Sequence, residues 1–512
     1  MRRRKVLFAG LGLMGTLACS HKDRAALGRL SESPDAPITD LAANIGKSLD
    51  PAQYLKQLPA PKFKPGHTLP PLTRFGWFLP FASRVEFADR WGYALEWGPY
   101  ANAERVAYAL KDPNSDEAKV MALAASNPKR YQLAVILSRD LPTTPGGIWL
   151  QNDRGELVDG KQTWSPEAPV AALKAAAKMC ADPLAEIRKR APISVVLNGG
   201  EYGLNVLGAI QNLCERDPRV VAAKGSRDWF DYLSERKAYQ ESFITKAVRQ
   251  AVPDRQMYVY YPADSNPHRG RYPGWLNWCF DYKYMRKITD RPSTSMYYKE
   301  FNTGWTGNMD MLTQVLNSIG QQIKIGDPLS YNWVCNGWMR DNTNPVFGEI
   351  DRYRGFLKCY YMAGNIGSIA GYFDLPKAAG GFGALINPEQ PPQWLLQMVA
   401  LSRVHALFSH LEDYLRQGDL LPGPMKHLWA KDTPAYEFPV KDPDLRVIAR
   451  KHRRKSSWAI VAWAAAGKAR PVTVEIPQLG TIEILARPTG SVYTATLVGS
   501  RPKLTWVDRQ EL

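Results

Sequence analysis

Eight short apolar or aromatic runs alternate with helix-like segments and predict an α/β fold, a (β/α)8 TIM barrel over residues 69–423. Beyond it, alternating segments cut by turn residues predict a small antiparallel β-sandwich domain over residues 424–512. The composition permits both. The chain has 512 residues, 45% hydrophobic and 22% charged, enough to bury large cores, which excludes disorder as its main theme.

Residues 1–19 have the pattern of an export signal. Arg2, Arg3, Arg4 and Lys5 precede an apolar stretch over 6–18 that is too short to cross a bilayer as a mature helix. The order Thr16-Leu17-Ala18-Cys19-Ser20 resembles a bacterial lipobox, which implies lipidation of Cys19, and Arg3-Arg4-Lys5 resembles part of a twin-arginine signal. The expected location is therefore the periplasm or cell surface, lipid-anchored to the outer membrane, or otherwise secreted. Residues 20–68 are polar and then proline-rich, and read as a tether.

The eight runs are 75–80, 93–97, 133–137, 193–197, 257–261, 295–298, 329–334 and 366–373. Helical candidates with apolar residues recurring at three and four lie at 168–189, 229–251, 308–323 and 349–363, and a long final helix fits 392–416. In the sandwich, strands are expected at 458–464, 472–476 and 481–486.

The formal charge is +17 and stays strongly positive when the four basic signal residues are removed. Such a balance suits a polyanion or an anionic membrane. An exported chain rarely meets chromosomal DNA, so no nucleic acid partner is expected, and the membrane is reached through the lipid anchor. The densest basic run, residues 450–455, reads as an exposed turn of the β domain. Seven His are too few for a multi-His metal site, and no HExxH, GxSxG or P-loop pattern occurs, so no metal or other cofactor is expected. If Cys19 carries lipid, Cys180, Cys214, Cys279, Cys335 and Cys359 remain without CxxC spacing, and buried free thiols are the simplest reading.

In a barrel, polar residues just after the strands meet at one mouth. The second run ends Leu95-Glu96-Trp97, the fourth Asn198-Gly199-Gly200-Glu201, the fifth Asp264-Ser265-Asn266, the sixth Lys299-Glu300-Phe301-Asn302, and the eighth Phe373-Asp374. Converging carboxylates matter because glycosidic cleavage uses one to protonate the leaving oxygen and a second as nucleophile or water base. Glu201 follows a β-branched strand and two glycines that permit close backbone approach to a ligand, and Glu300 follows a strand end with aromatic company. These are the two catalytic candidates.

The remaining candidates are substrate-binding. Trp97, Trp275, Trp305 and Trp333, with Trp77, Trp278 and Trp338, offer rings to stack on sugar faces, while Glu96, Asn198, Asp264, Asn266, Asn302, Asn332 and Asp374 offer hydroxyl partners. His268, Arg269 and Arg271 beside Trp275 form a loop suited to sulfated or carboxylated sugars.

The Glu201 and Glu300 neighbourhoods resemble those of the retaining (β/α)8-barrel glycoside hydrolases of clan A, here followed by a C-terminal β-sandwich. That resemblance implies Glu201 as acid/base and Glu300 as nucleophile. The sequence departs from the clan in two ways: two glycines separate Asn198 from Glu201, where the clan has Asn and Glu adjacent, and Glu300 follows the sixth run rather than the seventh. The expected function is hydrolysis of a polysaccharide or oligosaccharide, anionic or sulfated in the narrower reading. A non-catalytic carbohydrate-binding surface lipoprotein on the same fold is the alternative.

Overall fold

The computed structural model describes residues 72–73, 81–137, 148–160, 162–199, 210–261, 281–291, 293, 295–297, 309–324, 326, 328–335, 350–366, 369–371, 393–426, 434–442 and 444–509. Among the described residues, eight short strands lie before residue 372: β1 (Leu72–Thr73), β2 (Leu95–Glu96), β3 (Leu133–Ile136), β4 (Val195–Gly199), β5 (Met257–Tyr261), β6 (Ser295–Tyr297), β7 (Trp333–Cys335) and β8 (Ile369–Gly371). They form two four-stranded sheets, ordered β2-β3-β4-β5 and β1-β8-β7-β6. Every pairing is parallel, and the first strand lies beside the last, Leu72 opposite Ile369.

The first strand falls at Leu72–Thr73, earlier than the 75–80 run, whose residues lie outside the described ones. The seventh is shorter than expected. Its first half is a lead-in in which Ser330 bridges Asn365 and its hydroxyl bonds the Asn365 amide at 2.7 Å.

The helices follow the strands: α1 (Phe81–Trp91), α2 (Ala103–Lys111), α3 (Asp116–Ser126), α4 (Val170–Arg188), α5 (Ile210–Cys214), α6 (Pro218–Lys224), α7 (Trp229–Ala251), α8 (Tyr282–Met285), α9 (Met309–Lys324), α10 (Ile350–Met362), α11 (Gln393–Ser409) and α12 (Glu412–Gln417). Caps fix their starts. Asn102, Ser115 and Asp228 each accept a backbone N–H from the first turn of the helix they precede. The helix expected over 392–416 is broken in two. The Ser409 hydroxyl turns back to the Ala406 carbonyl at 2.6 Å, and Leu411 leaves the helical region before α12 begins.

The C-terminal part is antiparallel. Strands β9 (Gly418–Leu420), β10 (Leu445–His452), β11 (Ser457–Ala464), β14 (Ser491–Val498) and β15 (Arg501–Trp506) form a sheet ordered β15-β14-β11-β10-β9, and β12 (Arg470–Ile476) pairs with β13 (Gly480–Ala486). Strand β11 is buried along its whole length. Trp458, Ile460, Ala462 and Ala464 share a core with the β12-β13 hairpin, whereas Ala459, Val461 and Trp463 join the core containing α10 and α11. The sequence pattern marks β11, β12 and β13 but misses β9, β10, β14 and β15; in β10, Arg446, Arg450 and Lys451 interrupt the apolar alternation.

Helix α10 lies against that second face. A Cβ on Gly355 would fall 2.2 Å from the Trp463 ring and 2.4 Å from the Pro488 carbonyl, so only glycine permits this approach. One turn on, Lys358 is fully buried and pairs with the equally buried Asp508, while also donating to the Gly490 carbonyl at 3.1 Å. Asp508 further accepts the Val492 N–H at 3.0 Å and the Trp506 indole N–H at 2.6 Å, with Arg487 at 3.3 Å. At the helix end, the buried Arg450 donates to the Met362 carbonyl, where the helix dipole favours a cation. Burial pulls the Arg450 guanidinium down to about 10, with Asp419 opposing that shift and Arg453 adding to it.

The basic run starts inside and ends outside: Arg453, Arg454 and Lys455 lie exposed in the turn from β10 to β11. Arg450 is buried, Arg453 pairs with Asp419, and both His452 and Lys455 pair with Asp413. Cys180, Cys214 and Cys359 are buried thiols. Among the described residues no helix is long and apolar enough to cross a membrane.

This contact predicts a hierarchy of losses in urea unfolding. Asp508→Asn strands the Lys358 ammonium and should cost about 3–5 kcal/mol. Lys358→Met leaves Asp508 its Arg487 partner and should cost less, while Gly355→Ala should cost about 1–3 kcal/mol through overpacking. Equal, near-zero shifts in all three would contradict the account.

Candidate functional site

Strand alternation sorts the candidate residues onto two faces. Leu95, Leu133, Val135, Val196, Tyr258 and Tyr260 share a core with α2, α3, α4 and α7, which makes theirs the helix-covered face. Ala94, Ala134, Ile136, Val195, Leu197, Met257 and Val259 belong to the core on the opposite, inner face. Burial on both faces is what parallel sheets require, and it explains the near-continuous apolar runs.

Glu96 stands opposite Ala134 and alternates with Leu95, so it belongs to the inner face, and it is only 3% exposed. Tyr331, from the lead-in to β7, lies within its electrostatic reach. Burial first, then Tyr360, Tyr93 and Glu96, hold the Tyr331 phenol well above its ordinary value. The tyrosines around it are anchored, Tyr93 donating to the Met398 carbonyl at 2.7 Å and Tyr360 to that of Asn332 at 2.8 Å. Glu96 is thus a buried carboxylate at a strand end, backed by phenols.

Three sequence-based assignments change. Trp97 is fully buried in the helix-side core with Ala101, Val106 and Met121, because one further step along the strand reverses the face. It packs and offers no open ring to a sugar. Asn198 also points to the helix layer, its amide donating to Glu241 at 3.1 Å and to the Tyr258 hydroxyl at 3.0 Å. Asn332 is fully buried and its amide donates to Ser330 at 3.2 Å. Trp333 opens β7, its backbone in register with Ser295 and Ile369. Glu201, Asp264, Asn266, His268, Arg271, Trp275, Glu300, Asn302, Trp305, Asp374 and Cys19 lie outside the described residues.

The sequence reading passed over a polar group behind β4. Glu241, on α7, is fully buried, and the Tyr260 hydroxyl reaches it at 3.5 Å. Burial, followed by the Glu241 charge, pushes the Tyr260 phenol well above its ordinary value. Lys237, one turn earlier, is also buried. Two charged residues four apart within the buried stripe of a helix were the available signal. Among the described residues no three His, Cys, Asp or Glu side chains gather as a metal site.

No protein-family model matches this chain, and no curated protein matches it. Among solved structures the similar chains include glycoside hydrolases. The chain is similar to a family 39 glycoside hydrolase from the gut symbiont Bacteroides cellulosilyticus WH2, with a TM-score of 0.38 and 10% identity over 82% of this chain and 78% of that one. It is similar to a GH30 endoxylanase from Clostridium papyrosolvens C71, with a TM-score of 0.39 and 10% identity over 85% of this chain and 96% of that one. An α-amylase from Geobacillus thermoleovorans, complexed with acarbose, matches with a TM-score of 0.33 and 13% identity over 76% and 91% of the two chains.

The burial of Trp97 separates packing from binding. Trp97→Ala should lower stability by about 3–5 kcal/mol. At a temperature where the variant is folded, it should match wild type in every binding measurement on a polysaccharide panel. A folded variant with tenfold weaker binding would restore the stacking role.

Proposed function

We propose that this protein is a glycoside hydrolase acting on a polysaccharide or oligosaccharide through Glu201 and Glu300. The observation that carries the reading is the placing of two parallel strand ends. Strand β4 ends at Gly199, two residues before Glu201, and β6 ends at Tyr297, three residues before Glu300. The orders β2-β3-β4-β5 and β6-β7-β8-β1 follow one cyclic sequence, which supports taking the two sheets as arcs of one (β/α)8 barrel. Carboxylates that follow its strands then share one mouth, with Glu96 nearby as a hydroxyl ligand.

In the mechanism, Glu201 protonates the glycosidic oxygen while Glu300 attacks the anomeric carbon. Water, deprotonated by Glu201, then releases the sugar with retained configuration. The positive charge of the chain and the cations at His268, Arg269 and Arg271 support an anionic or sulfated substrate. The C-terminal strands from β9 onward form a bracing domain.

Reducing-end assays on neutral and sulfated polysaccharides, with binding measured on the same panel, test this reading. Glu201→Gln should collapse turnover of poor leaving groups while activated aryl glycosides suffer less, whereas Glu300→Gln should abolish both, because leaving-group activation cannot replace a nucleophile. Binding without any new reducing ends would favour the non-catalytic alternative. Wild-type rates in either variant would remove the carboxylate pair.

The proposal places the mature chain at the cell envelope, held by a lipid on Cys19. Cys19→Ala should move the protein from the membrane fraction to the soluble one, and mass spectrometry of the wild-type N-terminus should find the acyl chains. A membrane-bound Cys19→Ala protein would refute the anchor.

A further inference from the structure

We infer that Glu241 is a positioning residue for the catalytic segment after β4, acting through Asn198. The inference rests on the reading of Glu201 as the acid. Glu241 is fully buried on α7 and accepts the Asn198 amide at 3.1 Å, and the same amide donates to the Tyr258 hydroxyl at 3.0 Å. Asn198 is itself only 5% exposed and sits in register opposite Tyr260, whose hydroxyl also reaches Glu241. One carboxylate therefore draws together the ends of β4 and β5 and the middle of α7.

A buried carboxylate is costly unless it is bonded, and a well-packed pair of leucines would hold a helix to a sheet at least as well. Directionality is what the polar group adds. Its bond to Asn198 sets the position of that strand end along and across the sheet, which apolar packing leaves looser. Glu201 follows three residues later, so its Cα lies within about 10–11 Å of that of Asn198 however the chain runs. Proton donation to a glycosidic oxygen demands much finer placing than that, and a displacement of 1 Å can cost about a hundredfold in rate. Gly199 closes β4 opposite Tyr261, and Gly200, next in the sequence, carries no side chain to pack, so the fixed point nearest to Glu201 with a side chain is Asn198.

The test uses the full chain and two probes, the phenyl and 2,4-dinitrophenyl glycosides of the sugar that wild type cleaves fastest. Glu241→Leu should lower kcat/KM on the phenyl glycoside by about tenfold to a hundredfold and leave kcat/KM on the dinitrophenyl glycoside nearly unchanged, because kcat/KM reports the first, proton-assisted cleavage alone. A fall in the folded fraction would lower both substrates equally and would overturn the inference. Glu241→Gln keeps an oxygen for the Asn198 amide and should recover most of the loss. Asn198→Ala, which removes only the donor, should reproduce the Glu241→Leu pattern and serves if that variant fails to fold. In a Glu201→Gln background, Glu241→Leu should add no further loss, because its effect runs through the missing acid. If Glu201→Gln is impaired while folded Glu241→Leu and Asn198→Ala behave as wild type, positioning fails and the acid assignment survives. If Glu201→Gln cleaves the phenyl glycoside at the wild-type rate, the acid assignment fails and takes this inference with it.

Discussion

The seating of α10 on the C-terminal sheet is the contact on which the rest of the molecule depends. Gly355 brings the helix onto Trp463, and the Lys358–Asp508 pair closes the gap without leaving a buried charge alone. The Arg450 guanidinium meets the end of the same helix. Because α10 also packs on α11 and supplies Tyr360 and Tyr361 to the inner core, the sheet indirectly supports the tyrosines around Glu96. Dry apolar packing alone would hold these parts together, but the buried ion pair and the glycine contact restrict them to one relative placement.

Parity along a strand decides what each polar residue can do. Glu96 and Trp97 are neighbours in sequence, yet one belongs to the inner core and the other is buried under helices. The same step puts Leu197 inward and Asn198 outward, and so turns an apparent sugar ligand into the partner of Glu241. Polar residues at strand ends therefore fall into two groups, those that face a shared space and those that fix the frame around it.

Charge is sorted in a comparable way. Within the densest basic run, Arg450 meets the end of α10, while Arg453 and Lys455 form exposed pairs with Asp419 and Asp413 and Arg454 stays exposed at the turn.

Periodicity alone marked β5 and α7 at their observed limits and most other elements to within a few residues, since apolar alternation and helical spacing are local properties. It also marked the ends of β4 and β6 to within two residues. It did not reveal β9, β10, β14 or β15, or the break between α11 and α12. Nor did it separate Glu96 from Trp97 and Asn198, or point to Glu241. Whether a side chain faces a cleft or a helix depends on the exact residue at which a strand begins, and a carboxylate gains its role from partners dozens of residues away. Those are relations between segments, set only when the chain has packed.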